Sequence, residues 1–215
     1  ASRVRVIPNG VDTEKFRPPS ADERRAFRQS LGFPENDPVA LYMGRWAAGK
    51  GVDTLLAAWR EAANQAGFRW RLCLVVDRDP TFAEKSEIDQ SGKRIICFRR
   101  TTEPLGYYQA SDAAVLLSDN EGLSNFLLEA MACGLPLLTT PAAAVEEPGR
   151  FESYGWLTPP RDPGRLVERL LTFQTERAKL QEKGANARQV AEERFSIRAT
   201  ARDYEKLYLE MNESL

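Results

Sequence analysis

Two glutamates and two basic residues have types and spacing that could support chemistry. Glu121 and Glu129 stand eight positions apart; the first follows an apolar run and a polar turn, and the second lies in an otherwise apolar helical stretch. An ionised carboxylate among apolar neighbours is costly to bury unless a polar group meets it. Arg45 and Lys50 lie in a loop bounded by glycines, where charge-assisted hydrogen bonds can match the roughly two negative charges of a diphosphate.

The elements around the two glutamates indicate how they are positioned. The run 113–117, AAVLL, predicts a strand, Gly122 a turn, and residues 123–133 a helix. In open α/β proteins, a strand followed by a glycine turn and a helix presents backbone N–H groups to phosphates. The segment therefore predicts one half of a nucleotide site, in which Glu129 accepts hydrogen bonds from ribose hydroxyls.

Each of these residues also has an interpretation without a ligand. Glu121 would then only complement the helix dipole, an effect worth about 0.3–1 kcal/mol. Asn125 would be a helix-start residue, and Glu129 part of a partly polar helical stripe. Arg45 and Lys50 would be solvated loop cations.

Three segments carry a family resemblance. Residues 121–134, EGLSNFLLEAMACG, resemble the Glu-x7-Glu motif of retaining glycosyltransferases of family 4, which have the two-Rossmann-domain architecture called GT-B. Residues 6–16, VIPNGVDTEKF, resemble the link entering the C-terminal domain of that family, and residues 41–51, LYMGRWAAGKG, resemble its diphosphate loop. With an ending like Phe195-Ser196, the resemblance spans nearly the whole chain in the family's order.

The resemblance implies the donor-binding half of a GT-B enzyme. In that family the C-terminal domain holds the sugar nucleotide, and a preceding N-terminal domain holds the acceptor. This chain starts at the link, so we expect the donor half alone, inactive in isolation, as part of a hexosyltransferase. Residues 1–195 would form the nucleotide-sugar-binding domain, with the link and first strand in 1–12. Residues 196–215 would form a helix that crosses back to the absent N-terminal domain.

The resemblance also implies a role for each site residue. The matching Arg45 and Lys50 hold the donor diphosphate and stabilise the leaving group, Glu121 contacts the transferred sugar, and Glu129 binds the ribose. The expected catalytic residues are Glu121, Arg45 and Lys50. The expected donor-binding residues are Gly44, Arg45, Lys50, Arg100, Glu121, Gly122, Leu123, Ser124, Asn125 and Glu129. No metal and no cofactor beyond the sugar nucleotide are expected.

Three departures from the family pattern add bulk near the expected nucleotide pocket. The turn after the strand ending at Val76 reads Asp77-Arg78-Asp79-Pro80 where the family usually has Gly-Asp-Gly-Pro. Residues 142–143 are Ala-Ala instead of the frequent Gly-Gly, and Phe98 stands where Gly is common. These changes suggest an unusual donor preference or reduced donor binding.

Interpretations from different functional classes remain open. Gly44, Gly49 and Lys50 nearly form a P-loop after a strand, with Asp119 in the place of its acid. Gly51 stands where a P-loop needs Ser or Thr for Mg²⁺, which argues against an NTPase. A non-catalytic or regulatory nucleotide-sugar-binding domain and a nucleotide-sugar epimerase also fit the pattern. The lack of His weakens the epimerase interpretation, because similar epimerases use His at their nucleotide sites.

Composition excludes several classes of protein. The 215 residues suffice for one large domain, and a net charge of −1 gives no general attraction to nucleic acid or anionic lipid. No apolar run approaches the roughly 20 residues that span a bilayer. The chain has no His, which excludes imidazole chemistry and His-ligated metals. The three cysteines indicate buried thiols in a reducing compartment. We therefore expect a cytoplasmic location, with peripheral membrane association only through the absent N-terminal domain.

The alternation of short apolar runs and helical patterns predicts the fold class. Strands are expected at 3–7, 39–43, 70–76, 95–98, 113–117, 135–139 and 155–157. Helices are expected at 21–31, 51–66, 104–110, 123–133, 163–174, 176–194 and 197–211, with a loose helix in 77–92. Apolar strands alternating with helices imply an α/β, Rossmann-like parallel sheet covered on both faces. The many charges of 176–194 predict a helix with a solvated face.

Overall fold

The computed structural model describes residues 4–90, 92, 94–146 and 148–213. Within these ranges the chain forms a six-stranded, all-parallel sheet with the order β3-β2-β1-β4-β5-β6. The strands are β1 Val39–Gly44, β2 Arg71–Val76, β3 Ile95–Arg99, β4 Ala113–Leu116, β5 Leu137–Thr139 and β6 Gly155–Leu157.

Helices cover both faces of this sheet. They are α1 Ala21–Ser30, α2 Val52–Ala63, α3 Phe82–Gln90, α4 Leu105–Ala110, α5 Asn125–Ala132, α6 Pro148–Phe151, α7 Pro163–Thr175, α8 Arg177–Arg194 and α9 Ile197–Glu213, with a 3-10 turn at Pro141–Ala143. Helix α2 packs on α3 and α7, whereas α1 packs on α4 and α5 packs on α8. The central strands are buried along nearly their whole length, as expected for parallel strands between two helical layers.

The order of the strands places a topological switch point between β1 and β4. The chain first proceeds from β1 outward to β2 and β3, then returns to the other side of β1 to form β4, β5 and β6. The loops that follow β1 and β4 consequently diverge to opposite faces at the carboxyl edge of the sheet. In open α/β sheets the crevice at such a point is the usual ligand site.

The predicted fold class and most elements are confirmed. The α/β Rossmann-like sheet is present, and the expected helices and strands from residue 21 onward lie within a few residues of their predicted bounds. Two helix starts are capped as the sequence indicates: Asp162 accepts a hydrogen bond from the Arg165 N–H, and Ser196 accepts one from the Ala199 N–H.

One structural expectation is wrong. Residues 4–7 of the strand expected at 3–7 have no regular secondary structure, and Val4 and Val6 are exposed; Arg3 lies outside the described residues. Helix α8 has the expected solvated face, and it buries Leu180, Ala187 and Ala191 on another face. Small residues on that face let α8 approach the rest of the core closely.

The final helix leaves apolar side chains exposed. Tyr208 and Met211 are 65% and 58% exposed, and Tyr204 is 44% exposed. Leu207 is partly buried. At its N-terminal end the helix is joined to the rest of the domain by a parallel bridge between Val11 and Ser196. The domain limits 1–195 and 196–215 remain predictions.

Candidate functional site

The two loops at the switch point contact each other directly. The Asp119 N–H donates to the Gly49 carbonyl over 2.8 Å. Gly51 has a φ of 76°, and a Cβ there would lie 2.5 Å from the carbonyl oxygen of Leu117. Only glycine fits this position, since any side chain would meet backbone and adopt an unfavourable φ. The glycines thus allow the loop after β1 to close against the end of β4.

This closure joins Lys50 to Glu121. The Lys50 Nζ lies 2.7 Å from Glu121 Oε1, and the two side chains are 21% and 18% exposed. The hydroxyl of Ser118 donates to the same carboxylate oxygen over 2.7 Å. Ser118 is buried, and its carbonyl accepts a hydrogen bond from the Thr140 hydroxyl. The first glutamate is therefore held by one cation and one hydroxyl, both on Oε1.

The second glutamate is held by a buried tyrosine. The Tyr108 hydroxyl donates to Glu129 Oε2 over 2.5 Å, and Tyr108 has no solvent exposure. Burial raises the pKa of the half-buried Glu129 carboxyl, while the Tyr108 hydrogen bond and the charges of Lys15 and Arg100 oppose that rise. Burial and the neighbouring Glu129 also raise the pKa of the Tyr108 hydroxyl. One carboxylate oxygen is thus oriented by the protein core, as a ribose-binding acid requires.

Further polar groups come from the segment before α1 and from the end of β3. Lys15 and Arg100 are exposed, and their positive charges act to lower the pKa of the Glu129 carboxyl. The Asn9 side-chain amide donates to Asn125 Oδ1 over 3.4 Å. These contacts bring the amino-terminal segment and the β3 loop to the same crevice as α5.

The start of α5 is open towards the crevice. Gly122 and Asn125 are exposed, and Leu123 and Ser124 are half-buried. Ser124 is the N-cap of the helix, and its side chain makes no capping hydrogen bond to the described part of the chain. The first N–H groups of a helix have no partner within the helix, so this end can donate to an anion.

Arg45 is exposed at the mouth of the loop after β1. Its carbonyl accepts a hydrogen bond from the Tyr42 hydroxyl over 2.9 Å, while its guanidinium has no hydrogen bond to any residue that the structure describes. Asp77 accepts a hydrogen bond from the Trp46 N–H over 2.8 Å. That bond lowers the pKa of Asp77, helped by the charge of Arg45. The backbone of the loop is thus anchored while its first cation stays available.

The three departures from the family pattern have different consequences. Arg78 stacks on the buried Trp46 ring, with its guanidinium carbon 4.9 Å from the ring centroid, and forms an ion pair with Glu84. This adds bulk beside the loop that carries Arg45. Phe98 instead packs edge-on against Phe33 and Tyr107. The carbonyl of Ala142 accepts a hydrogen bond from the Glu121 N–H over 3.3 Å, so that turn supports the first glutamate.

The geometry does not resemble a P-loop NTPase site. Asp119, the candidate acid, pairs with Arg161 at 2.5 Å, and this hydrogen bond lowers its pKa. Lys50 is engaged by Glu121, and the crowding at Gly51 excludes the hydroxyl side chain that a P-loop places there.

Sequence reasoning singled out the charged residues but missed their supports. The crevice brings together Lys50, Glu121, Glu129, Arg100 and the start of α5, with Arg45 at its mouth. The hydroxyl partners Ser118 and Tyr108, and the nearby Lys15, were not predicted. Ser118 stands three residues before Glu121 in the turn, which is the sequence signal that could have identified it. Within the described ranges, no group of three or more His, Cys, Asp or Glu could hold a metal ion, and no helix is long and apolar enough to cross a membrane.

Curated relatives of this chain are glycosyltransferases. A sequence model of the family Glycosyl transferases group 1 matches residues 37–176, more than half of the chain. D-inositol 3-phosphate glycosyltransferase 2 of Catenulispora acidiphila is 30% identical over 211 residues, which are 93% of this chain and 48% of that protein. D-inositol 3-phosphate glycosyltransferase of Geodermatophilus obscurus is 33% identical over 173 residues, covering 75% and 38%. The chain spans about half the length, or less, of these relatives.

Solved structures agree on the fold. Sucrose-phosphate synthase from Thermosynechococcus elongatus has a TM-score of 0.81 at 26% identity, over 100% of this chain and 54% of that one. The Anabaena protein HepE, solved in complex with UDP-glucose, has a TM-score of 0.80 at 22% identity, over 98% and 57%. The match to HepE concerns the fold alone. The fold is that of GT-B glycosyltransferases, and this chain belongs to the glycosyl transferases group 1 family.

Proposed function

We propose that this chain is the donor-binding domain of a retaining, hexose-transferring glycosyltransferase of family 4, and that it binds a nucleoside-diphosphate sugar in the crevice between β1 and β4. The observation that carries the proposal is that Lys50, Glu121 and the start of α5 lie together at the switch point. Glu129 lies further along the same helix. The cation and the helix N-terminus match the negative charge of a diphosphate. Oriented carboxylates accept hydrogen bonds from the hydroxyls of a sugar and a ribose.

Each residue has a role that follows from its surroundings. Arg45 and Lys50 neutralise the diphosphate and stabilise the leaving group, helped by the N–H groups of Leu123, Ser124 and Asn125. Glu121 keeps Oε2 for hydroxyls of the transferred sugar, since both of its hydrogen bonds from the described residues end on Oε1. These three charged residues are the proposed catalytic groups.

The nucleoside end of the donor is assigned to Glu129 and its neighbours. Tyr108 occupies Oε2 of Glu129, so Oε1 is the atom that accepts from ribose hydroxyls. Gly44 and Gly122 allow the donor to approach the backbone closely, and Arg100 lies on the side of β3, where the base would be placed. The chemistry is assigned without a metal, because two cations and a helix N-terminus already match the diphosphate charge.

The relatives support a sugar nucleotide as the donor class. The curated relatives are named D-inositol 3-phosphate glycosyltransferases, and HepE was solved with UDP and with UDP-glucose. We propose a nucleoside-diphosphate hexose for this chain, and leave the acceptor to an N-terminal domain such as GT-B enzymes have. The cysteines Cys73, Cys97 and Cys133 are unpaired, which fits the cytoplasm as the place of this activity.

The chain by itself is expected to bind its donor without transferring the sugar. The described residues form one sheet with one such switch-point crevice, whereas transfer needs an acceptor held in a near-attack arrangement, from which much of the rate arises.

A calorimetric ligand screen tests the proposal. UDP, GDP, ADP, their glucose or mannose conjugates and ATP with Mg²⁺ would be titrated into the chain, with and without a chelator. We expect one nucleoside diphosphate and its sugar to bind with and without chelator. Binding only of ATP with Mg²⁺ would contradict the proposal and favour an NTPase, and no binding of any nucleotide would contradict it as well.

A further inference from the structure

We propose that Glu121 and the donor diphosphate compete for Lys50, so that Glu121 disfavours a bare nucleoside diphosphate relative to one that carries a sugar. This inference rests on the proposed function and adds a basis for telling donor from product. It concerns the Lys50 ammonium, which the diphosphate needs and which is already paired with Glu121.

The first support is the geometry of the pair. Lys50 Nζ lies 2.7 Å from Glu121 Oε1, and about four fifths of each side chain is shielded from solvent. An ion pair of this kind is less screened by water and salt than a surface pair. Ser118, itself buried, holds the same oxygen in place. The pair is therefore preformed, and a ligand that recruits Lys50 must share the ammonium with Glu121 or displace that carboxylate.

The second support is the contrast with Arg45. Its guanidinium is exposed and has no hydrogen bond to a described residue. A diphosphate can therefore approach Arg45 without breaking a contact, whereas at Lys50 it must share the ammonium with the Glu121 carboxylate or displace it. Once it does, the carboxylate of Glu121 faces an anionic ligand with one counter-charge fewer.

A sugar on the diphosphate offsets this cost. Sugar hydroxyls are hydrogen-bond donors, and a carboxylate that accepts them is satisfied again after losing its cation. Oε2 of Glu121, which accepts no hydrogen bond from the described residues, is the acceptor available for this purpose. A bare nucleoside diphosphate offers no donor at that position, so it binds against an uncompensated carboxylate and leaves more readily after transfer.

The charge-removing substitution Glu121→Gln tests the competition by the sign of its effect. The affinities of UDP and UDP-glucose would be measured by calorimetry for wild type and for E121Q. We expect E121Q to tighten UDP by roughly threefold to tenfold, as loss of a partly buried competing ion pair predicts, and to reduce the preference for UDP-glucose over UDP. Unchanged or weakened UDP binding in a folded E121Q protein would overturn the proposal.

The Lys50→Met background separates competition from simple repulsion. If Glu121 acts by occupying Lys50, adding E121Q to K50M changes UDP affinity much less than adding it to wild type. Equal tightening in both backgrounds would overturn the proposal in favour of general charge repulsion. Thermal unfolding of each variant establishes that it is folded.

Two further variants separate this proposal from the proposed function. Glu129→Gln is the matched control, since it removes the other carboxylate and is expected to weaken UDP and UDP-glucose alike. If Arg45→Ala and E129Q weaken UDP while E121Q does not tighten it, the donor site stands and the competition is wrong. If wild type binds neither UDP, GDP nor ADP, both proposals fail together.

Discussion

The charged side chains at the two edges of the parallel sheet differ in how fully they are paired within the protein. At the amino edge, before β1, β2 and β4, arginines and aspartates are paired with one another and with backbone carbonyls. At the carboxyl edge, after β1, β3 and β4, Arg45, Glu121 and Glu129 keep hydrogen-bonding atoms that the described residues do not use. The contrast separates the residues that stabilise the fold from those that are available to a ligand.

At the amino edge, arginines and aspartates form a network of ion pairs and hydrogen bonds. Asp112 accepts from Arg24 on Oδ1 over 2.7 Å and from Arg28 on Oδ2 over 2.6 Å, and Arg28 is buried. The Arg28 guanidinium also donates to four backbone carbonyls. Asp37 binds Arg69 and Arg71 in the same manner. A cavity of about 600 Å³ opens here, but the paired arginines that line it have little left to offer a ligand.

At the carboxyl edge, buried hydroxyls orient the glutamates, and the remaining polar atoms are accessible from the crevice. Buried hydroxyls of Ser118 and Tyr108 each hold one oxygen of a glutamate, and the remaining oxygens and the cation Arg45 lie towards the crevice. Space alone therefore does not identify the site in this fold. Unused polar capacity that the core has oriented is the better guide.

The largest effect on stability is expected at the amino edge. Asp112→Ala leaves the buried Arg28 without its counter-ion, which should lower the free energy of unfolding by about 3 kcal/mol. Asp22→Ala is the matched control, because Asp22 is 92% exposed and pairs only with Arg25 among the described residues, and it should change stability by less than about 0.5 kcal/mol. Urea unfolding measures both. Equal stability of the two variants would remove the distinction between the edges.

The largest effect on binding is expected at the carboxyl edge. Arg45→Ala or Lys50→Ala should weaken diphosphate binding by roughly 1.5–3 kcal/mol each, the worth of a charged hydrogen bond. Arg45→Ala should change the unfolding free energy little, because the Arg45 side chain is exposed. Arg177→Ala removes a cation from the lining of the amino-edge cavity and serves as the control with unchanged affinity. Calorimetry that finds the loss in R177A instead would move the phosphate site to the other edge.

A smaller effect is expected from the hydroxyl that supports Glu129. Tyr108→Phe should weaken UDP binding by about 1 kcal/mol, the worth of one hydrogen bond. Tyr107→Phe, on the same helix, is the control with no expected change. Calorimetry on both variants measures the difference, and equal affinities would show that the Tyr108 hydroxyl does not support the ribose-binding acid.

The pH dependence of binding sharpens the same comparison. Burial raises the pKa of Glu129, and its ionised form is the one that accepts ribose hydroxyls, so affinity should fall as the pH drops through that raised value. Tyr108 opposes the rise, so its loss should move the fall in affinity to higher pH. Titrations of wild type, Y108F and E129Q measure this. E129Q lacks this carboxyl, so it should lose the fall in affinity that Glu129 causes. Coincident profiles for Y108F and wild type would contradict the role of Tyr108.

The sequence predicted the sheet and the charged residues because both follow from local patterns. Apolar runs such as 39–43 and 113–117 and the helices between them have one stable arrangement, a doubly covered parallel sheet. Glu129 was noticeable because it interrupts an apolar helix. Ser118 was missed although its place three residues before Glu121 is a local signal. Tyr108 was not predictable, since which hydroxyl meets Glu129 depends on the distance between α4 and α5, which spacing alone does not give.

The error at residues 4–7 has a physical cause. The alternating residues 4–7 match a strand pattern, but the described part of the chain provides no neighbouring strand for them, and Arg5 instead pairs with Glu210 on α9. In α8, the charges predicted the solvated face but gave no indication of the buried face of small residues. Gly184 lies so close to Gly134 that a Cβ at Gly184 would overlap the Gly134 carbonyl oxygen. Such a close approach is a tertiary feature.

Amide hydrogen exchange with and without a saturating nucleoside diphosphate is the most direct test of the central claim, that the carboxyl edge at the switch point is the donor site. We expect slower exchange at 44–51, 100–101 and 121–129 on adding UDP, or whichever diphosphate the screen selects. We expect no change at 34–38, 69–71 and 111–112 on the amino edge. Protection confined to the amino edge, or none at saturation, would contradict the claim.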